Sequence, residues 1–304
     1  MPKNTFTIYD RNVESYALNL AAGGPALAIT ADEEHKTLQT AEEICRWLMS
    51  EGAGRDALLL AVGGGVTTDL VGFCAAVYKR GVRYANYPTT LLAMVDASIG
   101  GKTGCNLDGF KNQIGAFRMP EFTHYDVSVL KTLPEREFRS GAAEMLKTFI
   151  IKDGGNYRKA VEALSGAPDY DALAPLIEAA AAVKAGIVKK DPFEGGLRRV
   201  LNLGHTWGHA VEWRFPGKYS HGEAVAMGLA EAARISEELG FCATGLAAEI
   251  CADLASCGLP TALPCPKEEL AEAVRQDKKA DGGKINFIII KNIGKVATTL
   301  IPAP

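Results

Sequence analysis

The 304-residue chain is long enough for about two domains, and its 47% hydrophobic and 23% charged residues suit a buried core. Its 33 Lys and Arg against 36 Asp and Glu leave a formal charge of −3, which excludes the global positive field used by binders of nucleic acid or anionic membrane. Seven cysteines, Cys45, Cys74, Cys105, Cys242, Cys251, Cys257 and Cys265, form no CxxC pair, so they read as the reduced thiols of a cytoplasmic protein.

The N-terminal stretch from Met1 to Asp10 has no basic segment followed by an apolar run, and no uncharged apolar segment approaches the roughly 18 residues of a membrane span. Neither export nor insertion is expected. Short apolar runs at Phe6 to Tyr9, Ala26 to Thr30, Leu58 to Val62 and Arg83 to Tyr87 alternate with amphipathic stretches, a βαβ pattern that predicts a Rossmann-like parallel sheet. Ligands of such sheets sit at the carboxyl ends of the strands.

The run Leu58 to Val62 leads into Gly63, Gly64 and Gly65, with a helix predicted from about Thr68. A glycine turn between strand and helix admits a pyrophosphate to the backbone and to the helix N-terminus. The spacing is not GxGxxG, and a structural turn reads equally well from these residues alone. A second turn is predicted over Ser98 to Gly104 (SIGGKTG); Asp96 stands where a Walker loop needs its first glycine, which disfavours ATP and leaves Lys102 as a point charge for a phosphate or carboxylate.

After about Pro134 the chain turns Ala-rich, and helices are predicted at Ser140 to Ile151, Tyr170 to Lys190, Gly222 to Leu239 and Thr244 to Ala255. The expected division is an α/β domain over 1–134 and a mostly α-helical domain over 135–304. The β-branched runs Ile285 to Ile290 and Lys295 to Ile301 predict one hairpin.

Three of the five histidines, His205, His209 and His221, fall within one short window. His205 and His209 are four apart, a spacing that puts both on one helical face, as in many zinc sites. Glu144 lies among small and apolar residues, where an ionised carboxylate needs a cation or donors to compensate it. Satisfied core or surface residues remain the alternative reading of all four. Lys147, Lys184 and Arg198 are further cations near these positions, a pattern that solvated helix faces also produce.

Taken in order, LAVGGGVTTDLVGF, YPTTLLAMVDASIGGKTGCN, KNQIGAF, LKTLPERE, AAEMLK, LNLGHTWGHAVE and HGEAVAMG closely resemble the 3-dehydroquinate synthase family, from about Asp10 to Gly294. The resemblance implies metal ligands Glu144, His205 and His221, with His209 facing the substrate; the pair suggested by periodicity gives way to one ligand from each of two helices. It implies NAD contacts from Asp10, Asn12, Glu33, Lys36, Gly65, Val66, Thr67, Thr68, Asp69, Thr89, Thr90, Lys102 and Lys111. Substrate contacts would come from Asp96, Lys102, Asn112, Lys147, Lys184, Arg198, Asn202 and Lys278, while Arg80 would reach the neighbouring subunit's site in a homodimer. Lys147, His209, Asn202 and Asp96 would surround the reacting centre.

The substrate so implied, 3-deoxy-arabino-heptulosonate 7-phosphate, carries a carboxylate and a phosphate, which accounts for the number of cations. Transient oxidation by NAD, elimination of phosphate, re-reduction and aldol closure would make the enzyme a lyase that needs a divalent metal, zinc or cobalt. Against the family pattern the chain is short at both ends, so stability or dimer packing is expected to rest on other surfaces. Trp207 and Cys105 replace the family's usual smaller apolar or phenyl and aliphatic groups, and Ala97 stands where many members have serine. The rival readings are another sugar phosphate cyclase, disfavoured by the carboxylate-binding set Lys184, Arg198 and Asn202, a metal-dependent polyol dehydrogenase, and a degenerate binding protein.

Overall fold

A computed structural model describes residues 4–277 and 284–302. The chain divides into two compact units, residues 1–133 and 134–304.

In the first unit, β1 (Thr5–Asp10), α1 (Glu14–Ala21), β2 (Ala26–Ile29), α2 (Leu38–Ser50), β3 (Leu58–Gly63), α3 (Gly65–Val77) and β4 (Arg83–Pro88) alternate along the chain. The four strands form a parallel sheet in the order β2-β1-β3-β4. All six residues of β3 are buried because the strand is covered on both faces. Leu59 and Ala61 join Ile8, Ile44, Leu48, Leu70 and Val71 on the side of α2 and α3, while Leu58, Leu60 and Val62 pack with Ala17 of α1 and Ala85 of β4. Two-sided burial explains the uninterrupted apolar run, each large side chain contributing about 1.5–3 kcal/mol.

After β4 a single π-helical turn, Ala93–Ala97, carries Asp96, and an antiparallel hairpin follows, β5 (Lys102–Leu107) with β6 (Phe110–Phe117). This corrects the expected turn over Ser98 to Gly104: the chain is already a strand at Lys102. Alternation was hidden because β6 is mostly exposed.

The second unit begins with α4 (Glu135–Ile151), α5 (Gly154–Leu164) and α6 (Tyr170–Lys190). It continues with α7 (His205–Arg214), α8 (His221–Glu238), α9 (Leu246–Ser256) and α10 (Lys267–Asp277). Strands β7 (Lys284–Asn292) and β8 (Lys295–Pro302) form the expected antiparallel hairpin. Helix α4 starts five residues earlier than expected, at Glu135, with Pro134 as its N-cap residue and two glutamates in its first turn. From Ser140 to Ile151 every residue of α4 is buried, so it is the central helix, packed against α5, α6 and α8. A helix buried all round cannot leave a charge unmatched. Among the described residues no helix is long and apolar enough to cross a membrane.

Candidate metal centre and dinucleotide turn

Glu144, His205 and His221 converge from α4, α7 and α8, with one ligand atom of each within 4.8 Å of the others. Each approach has a local cause. His221 is the first residue of α8, behind a capping box in which the Ser220 side chain accepts from Glu223 N and Ser220 N donates to Glu223 Oε2 (2.6 Å). Arg136 of α4 donates to the same Glu223 oxygen (2.8 Å) and to Lys218 O (2.6 Å), and Gly222 N donates to Ser140 Oγ (2.9 Å). A Cβ at Gly222 would collide with the Ser140 backbone, so only glycine lets α8 start this close to α4. That contact brings His221 to Glu144.

His205 opens α7 after Gly204, whose φ of +79° is left-handed. A Cβ at Gly204 would stand 3.0 Å from the Leu229 backbone nitrogen, and one at Gly228 would strike the Gly204 carbonyl. Two bare Cα atoms thus allow α7 and α8 to touch at the end that carries His205.

His205 Nδ1 lies 3.1 Å from Leu203 O; a proton on Nδ1 makes that a hydrogen bond and leaves the Nε2 lone pair 3.7 Å from Glu144 Oε1. His221 Nε2 is 3.2 Å from the same oxygen, and its Nδ1 is 3.4 Å from Glu212 Oε2. Two imidazole nitrogens therefore face one carboxylate oxygen, an arrangement that calls for positive charge between them.

Among the described residues, Lys147 and His221 bring positive charge to Glu144. Burial alone would raise the Glu144 carboxyl, but Lys147, ion-paired with it one turn along α4, together with His221 and His205, holds it well below the usual carboxylate range. Burial, aided by the nearby Lys147 charge, pushes His205 down to about 3 and keeps it neutral. His221 rises to about 10, its two carboxylate partners outweighing burial. One carboxylate and two imidazoles, buried or half-buried, suit a divalent ion of the zinc or cobalt type. His209 packs edge-on against His205, ring centroids 5.1 Å apart, outside the three-residue group.

Of the expected cations of the second unit, Lys147 and Lys184 are buried, as is Arg198, whose Nη1 donates to Pro192 O (2.7 Å). Asn202 donates to Glu194 Oε1 (3.1 Å). Glu194 and Glu212 carry no signal in the sequence, whereas the spacing Ser-x-x-Glu at Ser220 and Glu223 does signal the cap that pins α8. Lys278 lies outside the described residues.

In the first unit, β3 runs into Gly63 and Gly64, and α3 begins at Gly65, three residues earlier than expected, with no side chain capping its N-terminus. A Cβ at Gly64 would sit 3.1 Å from Thr90 Cγ2, and one at Gly65 3.1 Å from Ala97 Cβ. Open amides at the start of a 13-residue helix are a fitting cradle for a pyrophosphate. Val66, Thr67 and Thr68 form the first turn, Thr68 Oγ1 donating to Gly65 O (3.0 Å), and Thr89 N donates to Gly63 O (2.9 Å). Asp10, at the end of β1, accepts from Asn12 N (3.0 Å).

Buried Lys36 joins two groups of the expected site, donating to Asp69 Oδ2 and to Asn112 Oδ1, both at 2.6 Å. Glu33 Oε2 accepts from Asn106 Nδ2 (2.9 Å). Lys102 and Lys111 are exposed on the hairpin. Arg80 is also exposed, with a left-handed φ of +68° beside Lys79 at +48°.

Residues 26–140 match the family model described as 3-dehydroquinate synthase N-terminal, and residues 141–280 match the one described as 3-dehydroquinate synthase C-terminal. The chain is 47% identical over 281 residues to the 3-dehydroquinate synthase of Acidithiobacillus ferrooxidans, covering 90% of this chain and 77% of that one. Among solved structures, a 2-deoxy-scyllo-inosose synthase complexed with carbaglucose-6-phosphate, NAD+ and Co2+ superposes with a TM-score of 0.89 at 26% identity, covering 100% of this chain and 89% of its own. The 2-epi-5-epi-valiolone synthase of Streptomyces hygroscopicus, with NAD+ and Zn2+ bound, gives 0.86 at 26% identity, covering 97% and 87%. Sheet, helical half and sequence agree on one conclusion: the chain belongs to the 3-dehydroquinate synthase family.

Proposed function

We propose that the protein is a 3-dehydroquinate synthase, a lyase converting 3-deoxy-arabino-heptulosonate 7-phosphate to 3-dehydroquinate and phosphate. The observation that carries this reading is the convergence of Glu144, His205 and His221 from three helices in a chain 47% identical to such a synthase. In this reading the α/β unit takes NAD at Gly65 to Asp69, with Asp10, Asn12, Glu33, Lys36, Thr89, Thr90 and Lys111 around it. The helical unit takes a divalent metal on Glu144, His205 and His221. When bound, the nicotinamide supplies a reversible hydride acceptor and the metal a Lewis acid for the substrate's hydroxyl oxygens.

The chain's own groups do the rest. Lys184 and Arg198, both buried, neutralise the sugar acid's carboxylate, Arg198 with a planar fork suited to that shape. Lys102 and Asn112, with Arg80 of a second subunit, hold the phosphate. Phosphate leaves C7 with the C–O bonding electrons as the C6 proton passes to the departing phosphate itself, and binding at both ends of the substrate fixes the alignment of those two bonds. Lys147 keeps Glu144 ionised and is a hydrogen-bond donor beside it, while His209 and Asn202 orient donors about the reacting carbons. Asp96 completes this set from the π-helical turn. A homodimer in the cytoplasm belongs to the same proposal, and the seven free cysteines accord with a reducing compartment.

The test is phosphate release from the heptulosonate phosphate by purified protein supplied with NAD and metal. Release that stops with a chelator and leaves no net NADH supports the proposal; steady accumulation of NADH would identify a dehydrogenase instead. Another sugar phosphate cyclase is the second reading, since two such enzymes superpose well. The buried Lys184 and Arg198 favour a substrate with a carboxylate.

A further inference from the structure

Helix α7 contributes to the metal centre twice. His205, its first residue, faces Glu144 directly, and Glu212, seven residues and about two turns later, lies 3.4 Å from Nδ1 of His221 on the neighbouring helix. Both imidazoles are thus set the same way, with Nδ1 at an oxygen acceptor and Nε2 toward Glu144 Oε1. Their acceptors differ. His205 meets the neutral carbonyl of Leu203, whose position is fixed by the turn before α7, whereas His221 meets a carboxylate on a side chain. The Glu212 side chain is 20% exposed and that of His221 33% exposed, so His221 is the less enclosed imidazole and depends more on a partner to hold its ring.

We infer that Glu212 is a positioning residue that fixes the Nδ1–H tautomer and ring orientation of His221, and so sets the affinity of the centre for a divalent cation. A carboxylate accepting from the far nitrogen of a ligating imidazole raises the basicity of the near one and removes the freedom of the ring to turn. A charge-assisted bond does this better than a neutral one. Because His205 and Glu212 share one helix, a shift of α7 displaces a ligand and the support of another together.

The inference rests on the reading of His221 as a ligand, and the test separates the two. Chelator-treated full-length protein is titrated with Zn2+ against a chromophoric competitor, and the melting temperature of each metal-free variant is recorded alongside. Glu212→Ala is expected to bind Zn2+ roughly ten- to hundredfold more weakly, and Glu212→Gln, which keeps an oxygen acceptor without the charge, to fall between it and the parent. Both metal-free variants lose the same charge beside His221 and should melt alike, whereas a general packing role would lower Glu212→Ala alone. Parental affinity in Glu212→Gln and Glu212→Ala alike overturns the inference, as does a loss of affinity in Glu212→Ala matched by a loss of metal-free stability while Glu212→Gln stays parental. Should Glu212→Ala fail to fold, Glu212→Gln decides alone: weaker binding by a variant that still unfolds cooperatively supports the role, and parental binding refutes it. His221→Ala is the control, since a variant that keeps parental affinity there would sink the ligand reading itself.

Discussion

Lys147 stands one helical turn beyond Glu144 on α4 and forms an ion pair with it, and the two side chains are 2% and 0% exposed. Such a pair is sealed from the solvent that would otherwise stabilise each charge, so removing one partner strands the other. Lys147→Met should therefore lower the stability of the metal-free protein by about 3 kcal/mol and abolish turnover. Saturating zinc should restore much of the stability, because a cation again faces Glu144, without restoring turnover. Thermal unfolding with and without zinc checks this; an unchanged metal-free melting temperature would contradict it.

The Lys36 ammonium bridges Asp69 at the first turn of α3 and Asn112 on the β5–β6 hairpin. Asn112 has a left-handed φ of +54°, a conformation that needs outside support. Charge-assisted hydrogen bonds contribute about 1.5–3 kcal/mol each, so Lys36→Met should weaken NAD binding by roughly tenfold or more and raise the KM for the sugar phosphate as Asn112 relaxes. Calorimetric titration with NAD and steady-state kinetics measure the two effects; loss of neither would remove Lys36 from the site.

Asp191 closes the loop before Arg198 by accepting from the backbone of Gly195, Gly196 and Arg198 at 2.7, 2.8 and 2.9 Å. These bonds, led by those from Arg198 and Gly196, hold its carboxyl below the usual range. The folded value is depressed, so the contribution is fully present above the unfolded value of about 4 and is lost as the pH falls through the folded one. At neutral pH Asp191→Ala should raise KM more than it lowers kcat, since it loosens Arg198 and leaves Glu144 untouched. The parent should show the same change only below about pH 4. A KM unaffected by the substitution would contradict this account of the loop.

The elements legible in the sequence are those whose burial imposes a pattern. Strand β3 reads as an apolar run because it is covered on both faces, and α6 runs from Tyr170 to Lys190 as expected, since its alanines and leucines repeat with the helical period. The first turn of α4 was lost because Glu135 to Glu137 face solvent and carry no period. The β5–β6 hairpin was lost for the related reason that β6 lies mostly in water.

Within the candidate metal centre, Glu144 is visible from its apolar neighbours, but spacing points to His205 with His209. The structure groups His205 and Glu144 with His221, sixteen residues on, and what unites the two histidines is tertiary: Gly204 against Gly228, Gly222 against Ser140, and Arg136 on the cap of α8. Periodicity along one helix cannot report a contact between two. The order of motifs shared with a family could, because it carries the fold with it.

The measurement that bears most directly on this account is the metal stoichiometry of the chelator-treated protein titrated with zinc or cobalt, for the parent and for Glu144→Gln, His205→Ala and His221→Ala. The expected result is one tightly bound ion per parent chain, lost in each of the three variants together with phosphate release. A parent that binds no ion, or single variants that keep both the ion and the activity, would contradict the centre on which everything else here depends.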